Sequence, residues 1–135
     1  MSRKKACAII LRKKKEIREI LVFRHPDGSV QFVKGNLKPN EKPKNAAIRD
    51  LKEESGISKL DSAKLIGAWN SKFRKQVWYF FRCKPTKELN DAWTFHTKDD
   101  GGADFEFFWV NLEDKPGKDW SPVFKRALKY LRLHV

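Results

Sequence analysis

The chain has 135 residues, 40% hydrophobic and 13% aromatic, which excludes a disordered protein and predicts one globular domain over residues 1–135. A formal net charge of +13 predicts a polyanionic partner such as nucleic acid, polyphosphate, nucleotide or inositol phosphate. Because the lysines are spread along the chain, a solvated basic coat is the alternative interpretation.

The cysteines and the N-terminal segment bear on the compartment. Cys7 and Cys83 lie in apolar runs and lack the spacing of a zinc site, so we expect two reduced core thiols. The apolar run before residues 12–15 is too short for a signal peptide, and no stretch approaches the length of a membrane span. These features predict a cytoplasmic protein, monomeric or homodimeric, with no membrane partner.

The first third of the chain predicts strands joined by polar turns. Residues 5–11 and 17–23 have the apolar composition of strands, and residues 12–15 between them predict a charged turn. Residues 24–28 end in Asp-Gly and predict a loop. Residues 30–33 predict a short strand that leads to Lys34 and Gly35.

A helix with two different faces follows this strand. Pro43 suits its first turn, and Gly56 suits a left-handed C-cap. Asp50, Glu53 and Glu54 fall within about 100° on the helix wheel, although like charges at this spacing destabilise a helix by roughly 0.2–0.5 kcal/mol per pair. A hard divalent cation would turn this repulsion into binding, whereas a solvated acidic face is the alternative. The apolar stripe beside them consists of Ala47, Ile48 and Leu51, and Lys52 and Asn45 are expected to face water.

The second half predicts further strands and a closing helix. Residues 65–69 and 76–83 have strand composition, and residues 77–81 are typical of a central strand covered on both faces. Residues 84–104 predict a long loop, in which Trp93 and Phe95 either stack on a base or cover the core. Residues 105–110 predict the last strand, before a helix capped by Ser121. The order of elements predicts an α+β protein with a mixed sheet between helices.

The segment from Gly35 to Ile57 resembles the Nudix hydrolase signature, Gly-x5-Glu-x7-Arg-Glu-U-x-Glu-Glu-x-Gly-U, where U is a bulky aliphatic residue. Asp50 departs from it, because the family usually has Glu at this position. Val33 and Asn40 are milder departures, from a proline and a glycine. The resemblance implies a Nudix-type α/β/α sandwich, with a mixed central sheet, the motif helix and a C-terminal helix.

The same resemblance implies hydrolysis of a phosphoanhydride with a divalent metal, Mg²⁺ or alternatively Mn²⁺. It implies that Asp50, Glu53 and Glu54 are catalytic metal ligands, and that the Gly35 carbonyl is a further ligand. Arg49 and Glu41 are implied to hold the catalytic helix and loop together. Because the Asp50 side chain is one methylene shorter than Glu, it reaches about 1.5 Å less far, so weaker metal binding is expected.

Several residues outside the signature are further candidates. Some relatives use an additional downstream acid as a metal ligand or base, and we take Asp104 as first choice, although alignment on Trp109 places Ala103 there. Lys34, Arg24 and His25 are candidates for contacting substrate phosphate, against the alternative of ordinary surface residues. The other downstream acids considered are Asp99, Asp100 and Glu106.

The sequence thus favours a metal-dependent hydrolase acting on an anionic phosphoanhydride by attack of water on phosphorus. Residues 24–54 most resemble diadenosine polyphosphate hydrolases, and residues 24–27 resemble diphosphoinositol polyphosphate phosphohydrolases. A nucleoside triphosphate hydrolase also fits. In the alternative, Asp50 has weakened or disabled catalysis, and the fold is a module that binds RNA or polyphosphate mainly through phosphates.

Overall fold

The computed structural model describes residues 3–135, apart from the side chain of Asp100. Within this range there are nine strands and two α-helices, and none of the helices is long and apolar enough to cross a bilayer. The elements are β1 (Lys4–Ile9), β2 (Leu11–Lys14), β3 (Ile17–Arg24), β4 (Val30–Gln31), β5 (Val33–Asn36), α1 (Pro43–Ser55), β6 (Leu60–Asn70), β7 (Val77–Pro85), β8 (Ala92–Thr97), β9 (Ala103–Asn111) and α2 (Pro122–His134).

The strands form two sheets. One is mixed, in the order β5-β1-β7-β6, with β1 and β7 parallel and the other two pairs antiparallel. The other is antiparallel, in the order β2-β3-β9-β8, with the short β4 pairing to β3. β7 is an interior strand of the mixed sheet, as its apolar composition predicts.

Each helix covers one face of these sheets. The buried side of α1, which includes Ala47 and Leu51, packs on residues of both sheets such as Phe81 and Phe107. The buried side of α2 packs on the opposite face, against a second core that contains Trp78 and Phe80. The arrangement is the predicted α/β/α sandwich. Cys7 and Cys83 are free and buried, as expected.

The ends of α1 follow the predicted chemistry. Pro43 is its first residue, where a missing N–H removes no helical hydrogen bond. Gly56 adopts φ 81° and ends the helix, with its N–H donating to the carbonyl of Lys52. Lys52 and Asn45 are exposed, and Ala47, Ile48 and Leu51 face the core side.

Two predicted loops are strands instead. The prediction of a charged turn at residues 12–15 was wrong, because Leu11–Lys14 is β2, paired to β3. The turn itself lies at Lys15 and Glu16, both with positive φ, as a tight two-residue hairpin requires. β2 was missed because an edge strand carries charged side chains that read as a turn.

The long loop predicted over residues 84–104 was also wrong, because it contains β8. In β8 the side chains of Trp93, Phe95 and Thr97 turn toward the protein, whereas Thr94 and His96 are exposed. This alternation is the period of a half-buried strand. Residues 30–33 do not form one strand, since Phe32 separates β4 and β5, which belong to different sheets.

Candidate active site

The site begins where β5 meets α1. Gly35 lies so close to Asp50 that a Cβ built on the glycine would stand 1.9 Å from Asp50 Oδ2. No side chain fits in that space without displacing the carboxylate. The glycine of the signature is therefore required for the close approach of a strand backbone to a helix carboxylate.

Asp50 is buried, and only 4% of its surface is exposed. Its Oδ1 accepts a hydrogen bond from Arg49 at 2.9 Å, whereas its Oδ2 is buried without a partner among the described residues. Burial raises the pKa of Asp50 to about 7, and the positive charge of Arg49 opposes that rise. An ionised carboxylate here needs a further positive partner.

Arg49 connects several residues of the site through hydrogen bonds. Its guanidinium donates two hydrogen bonds to Glu41, from Nε at 2.9 Å and from Nη2 at 2.8 Å. The same group donates to Glu53 Oε2 at 3.2 Å and to the carbonyl of Asn36 at 2.9 Å. These contacts join α1 to the loop that precedes it. Hydrogen bonds from Arg49 are the main cause that lowers the pKa of Glu41 to about 2.

A cavity of about 500 Å³ opens beside these residues. Carboxylates of α1 line one part of it, and Lys34 of β5 and Lys38 of the following loop line another. This mixture suits a ligand that combines negative phosphate with positive metal. The lining residues are Lys34, Gly35, Asn36, Leu37, Lys38, Arg49, Asp50, Glu53, Glu54 and Asp99.

The donor set fits a hard divalent cation in composition. Asp50, Glu53 and Glu54 offer carboxylate oxygens, and Asp50 Oδ2 is a buried acceptor without a partner. Among the side chains that the structure describes, however, no three acidic, histidine or cysteine residues already form a metal-binding group. Arg49 holds Asp50 and Glu53 instead. A cation at this site would therefore compete with Arg49 for Asp50 and Glu53.

β8 fastens the C-terminal end of α1 to the sheet. The indole N–H of Trp93 donates to the carbonyl of Ser55 at 3.2 Å, and the ring of Phe95 lies against Gly56. Thr97, which is fully buried, donates its hydroxyl to the carbonyl of Glu53 at 2.9 Å. Trp93 also stacks on Phe107 at 5.1 Å, so these aromatic side chains cover the core.

Thr97 also connects α1 to the acidic residue that follows β8. The N–H of Asp99 donates to Thr97 Oγ1 at 3.1 Å, and Asp99 lines the cavity. Asp104, the first choice from sequence, lies instead in an exposed ion pair with His96 at 2.7 Å and is absent from the described lining. Glu106 is exposed opposite Arg24, and the side chain of Asp100 lies outside the described part of the chain.

Of the three candidate phosphate contacts, Lys34 lies in the described cavity lining, whereas Arg24 and His25 do not. Lys34 belongs to the cavity wall, but its ammonium lies over the ring of Trp78, 4.6 Å from the centroid. Arg24 pairs with Asp119 at 3.1 Å, and His25 forms a turn with Asp27. The structure therefore does not bring Arg24 and His25 into the lining that it describes.

Sequence reasoning missed several residues of the site. Asn36 and Lys38 line the cavity, and Lys38 donates its backbone N–H to Glu41 at 2.9 Å. Thr97 was missed because the sequence predicts a loop over residues 84–104. The alternation of Trp93, Phe95 and Thr97 was the available signal, since it marks a strand whose inward end precedes Asp99.

Comparisons with known proteins agree with this geometry. The NUDIX domain family matches residues 1–129. The RNA pyrophosphohydrolase of Bartonella henselae is 30% identical over 118 residues, covering 73% of this chain and 68% of that protein, and the Bartonella quintana enzyme is 28% identical over the same shares. A MutT NUDIX hydrolase from Burkholderia pseudomallei has a similar fold, with a TM-score of 0.66 at 19% identity over 93% of this chain and 95% of that one.

A further structure shows the same fold. The NUDIX domain of Shewanella oneidensis NrtR, crystallised with ADP ribose, has a TM-score of 0.66 at 12% identity, covering 96% of this chain and 86% of that one. The family match over nearly the whole chain and the signature geometry around Gly35, Arg49 and Asp50 lead to one conclusion. The chain belongs to the Nudix family, as a pyrophosphohydrolase.

Proposed function

We propose that the chain hydrolyses a phosphoanhydride at the 5′ end of RNA, with a divalent cation, preferably Mg²⁺. The observation that carries this proposal is the buried Asp50 Oδ2, which stands without a partner against Gly35 in a cavity of carboxylates and basic groups. Nudix hydrolases generally use divalent metal ions. The RNA specificity is supported by the names of the two Bartonella relatives and by the net charge of +13.

Asp50, Glu53, Glu54 and the Gly35 carbonyl would hold the cation. When bound, it neutralises phosphate charge and lowers the pKa of water. Arg49 orients Glu53 through their 3.2 Å contact. We assign Asp99, which lines the same cavity, to accept the proton of the attacking water at its carboxylate.

Glu41 acts on the site indirectly, through Arg49. Its two hydrogen bonds from Arg49 fix the plane of the guanidinium, and its bond from the Lys38 N–H fixes the loop. Because an arginine fork is rigid, this places Arg49 for its contacts with Asp50 and Glu53. We therefore propose that Glu41 is a positioning residue for the catalytic carboxylates.

One observation favours a second candidate function. Asp50 replaces the usual Glu and is already engaged by Arg49 at 2.9 Å. If Asp50 cannot leave Arg49 for a cation, the chain is a basic module that binds RNA or polyphosphate without hydrolysing it. Such binding would weaken steeply with salt, because it is dominated by phosphate contacts.

A substrate panel separates these functions. We would incubate the protein with Mg²⁺ or Mn²⁺ and 5′-triphosphorylated RNA, a nucleoside triphosphate, diadenosine polyphosphate or diphosphoinositol polyphosphate. Glu53→Gln tests the metal assignment, and Asp50→Glu restores the usual family residue. Lys44→Gln is the matched control, since Lys44 is exposed on the same helix and is absent from the described cavity lining.

We expect wild type and Lys44→Gln to release phosphate or pyrophosphate fastest from the triphosphorylated RNA, and Glu53→Gln to be at least about a hundredfold slower. Equal rates for Glu53→Gln and wild type would refute the metal assignment. If both wild type and Asp50→Glu are inert across the panel while RNA binding persists, the enzyme proposal fails and the binding module is supported. Faster turnover of another substrate would refute the RNA specificity alone.

A further inference from the structure

A second charged feature lies at the same end of the mixed sheet's strands as the candidate active site. The registers align Asn36 of β5 with Lys5 of β1, Lys5 with Trp78 of β7, and Trp78 with Trp69 of β6. Neighbouring strands lie about 4.8 Å apart, so this row spans roughly 14 Å. The loop that carries Lys38 and the turn between β6 and β7 therefore both extend beyond the same end of these strands.

We call the turn between β6 and β7, residues 71–76, the basic hairpin. Three of its residues, Lys72, Arg74 and Lys75, have positive φ angles of 53°, 52° and 57°. Non-glycine residues rarely adopt this conformation, which persists only where the surroundings impose it. Such conformations are concentrated at ligand-binding and catalytic sites.

Internal contacts impose this shape. The buried Ser71 donates its hydroxyl to the Gln76 carbonyl at 2.8 Å and accepts the N–H of Phe73 at 3.1 Å. Arg126 of α2 donates to the carbonyl of Ser71 at 2.7 Å, and Phe73 packs against the core. These contacts hold the backbone on its protein-facing side. The side chains of Lys72, Arg74 and Lys75 are exposed, and the Arg74 guanidinium lies over the Phe73 ring at 4.8 Å.

The charge of the basic hairpin is not balanced locally. Residues 62–87 contain seven Lys and Arg and no Asp or Glu. In the part of the chain that the structure describes, Lys72, Arg74 and Lys75 form no ion pair. A coat that serves solubility usually intersperses both signs, so the unbalanced charge of this segment favours a negative partner.

The basic charge continues from the hairpin to the cavity. Lys5 lies between them in the sheet and donates a hydrogen bond to the side chain of Asn36, a cavity residue. Lys34 lies on the same face, since it pairs with Cys7. Cys7 is two residues from Lys5 on β1, so the two lysines lie on one face of the mixed sheet. The positive charge therefore forms a connected track.

We propose that the basic hairpin binds the sugar-phosphate chain of the RNA substrate downstream of its 5′ end. In this arrangement the terminal phosphates occupy the cavity, and the internucleotide phosphates pass Lys5 to reach Lys72, Arg74 and Lys75. Such contacts carry no base specificity, but they favour long RNA over short RNA. The identity of the substrate in this inference rests on the proposed function, whereas the binding surface does not depend on it.

The test replaces the three basic residues together, as Lys72→Asn, Arg74→Asn and Lys75→Asn. Asn tolerates positive φ better than most residues, so the turn keeps its shape. The control, Lys13→Asn, Lys15→Asn and Lys59→Asn, removes the same charge from exposed positions, two in the β2–β3 hairpin of the other sheet and one beside the opposite end of β6. Thermal unfolding of both variants verifies that they fold.

Two 5′-triphosphorylated RNAs, a dinucleotide and a 12-mer, are hydrolysed by each variant. With the hairpin variant we expect kcat/KM for the 12-mer to fall on the order of tenfold, and that for the dinucleotide less than about twofold. The control should change neither by more than about twofold. Equal losses for both RNAs, or equal losses in both variants, would overturn the proposal.

Fluorescence anisotropy with the labelled 12-mer tests the binding surface without hydrolysis. We expect the slope of log Kd against log salt to decrease by about 2 in the hairpin variant, because three contacts to a single strand are removed. An unchanged slope overturns the inference. If no RNA is hydrolysed but this slope decreases, the proposed function fails while the basic hairpin remains an RNA-binding surface.

Discussion

The carboxylate cluster of α1 and the basic hairpin hold their charges in opposite ways. Asp50 is buried, and Arg49 engages Glu41, Asp50 and Glu53 within 3.2 Å. The hairpin instead presents three exposed cations on a strained backbone. Geometry therefore dominates in the first region and long-range attraction in the second. Substitutions in the cluster should change chemistry and stability, whereas those in the hairpin should change mainly salt-dependent binding.

The largest effect is expected from Gly35→Ala. The new Cβ would stand 1.9 Å from Asp50 Oδ2, so the buried carboxylate has to move. Since a displacement of about 1 Å in a catalytic group can reduce rates a hundredfold, we expect kcat/KM on triphosphorylated RNA to fall by roughly that factor. Gly117→Ala is the control, because its Cβ would stand 3.3 Å from the Asp119 carboxylate, a much smaller encroachment. Wild-type activity in Gly35→Ala would contradict the assigned position of Asp50.

The next largest effect is expected on stability from Arg49→Gln. The substitution removes the guanidinium that pairs with Glu41, Asp50 and Glu53, and leaves three carboxylates close together without their cation. We expect a loss of about 2–3 kcal/mol in the free energy of unfolding, measured by urea denaturation without metal.

Arg18→Gln provides the comparison for that result. Arg18 pairs with Glu113 at 2.7 Å on the surface, with side chains 43% and 59% exposed. Such a pair contributes less than about 1 kcal/mol. Equal losses in the two variants would show that the network around Arg49 is no stronger than an ordinary surface ion pair.

A smaller effect is expected from Thr97→Val, which preserves shape but removes the hydroxyl between Glu53 and Asp99. Leaving a buried carbonyl without its donor costs about 1–2 kcal/mol. We also expect kcat to fall with little change in KM, because α1 and Asp99 lose their shared anchor. Thr94→Val makes the same change on the exposed face of β8 and should be neutral. Thr97→Ser should restore kcat, and its failure to do so would contradict a positioning function.

The pH dependence of stability tests the Glu41 contact. Since hydrogen bonds from Arg49 lower the pKa of Glu41 from 4.5 to about 2, ionised Glu41 stabilises the fold above about pH 4.5. That contribution is lost as the pH falls toward 2. The stability difference between wild type and Glu41→Gln should therefore shrink between pH 6 and pH 3 in urea unfolding.

Glu16→Gln is the control for this pH series. Glu16 is an exposed turn residue that pairs with Lys13 at 3.3 Å, and its side chain is 90% exposed. A pair of this kind contributes little at any pH. We therefore expect the difference between wild type and Glu16→Gln to stay near zero throughout. A constant difference for Glu41→Gln would contradict the contact with Arg49.

The sequence predicted the helix of the site better than its surroundings. Pro43, Gly56 and the stripe of Ala47 and Leu51 determine where α1 begins, where it ends and which side is buried, because these are local properties of the chain. The Arg49–Glu53 ion pair also follows from four-residue spacing.

Other features depend on contacts between distant segments. The approach of Gly35 to Asp50 and the anchoring of Glu53 by Thr97 join residues that no periodicity connects. The choice of Asp99 over Asp104 depends on where β8 ends, and β8 was masked by polar residues on its exposed face. Local patterns therefore predicted which chemistry is present, whereas tertiary packing determined which acid lines the cavity.

The smallest effect is expected from Lys75→Gly in the basic hairpin. Lys75 has a φ of 57°, a conformation that glycine adopts without a Cβ penalty, although glycine also makes the unfolded chain more flexible. These opposing terms should leave a stabilisation of about 0.5 kcal/mol, while one of the three hairpin cations is lost. Lys115→Gly is the control, since Lys115 has no positive φ and gains nothing from glycine. If Lys75→Gly destabilises the fold as much as Arg49→Gln, the Lys75 side chain supports the structure and the contrast between the two regions fails.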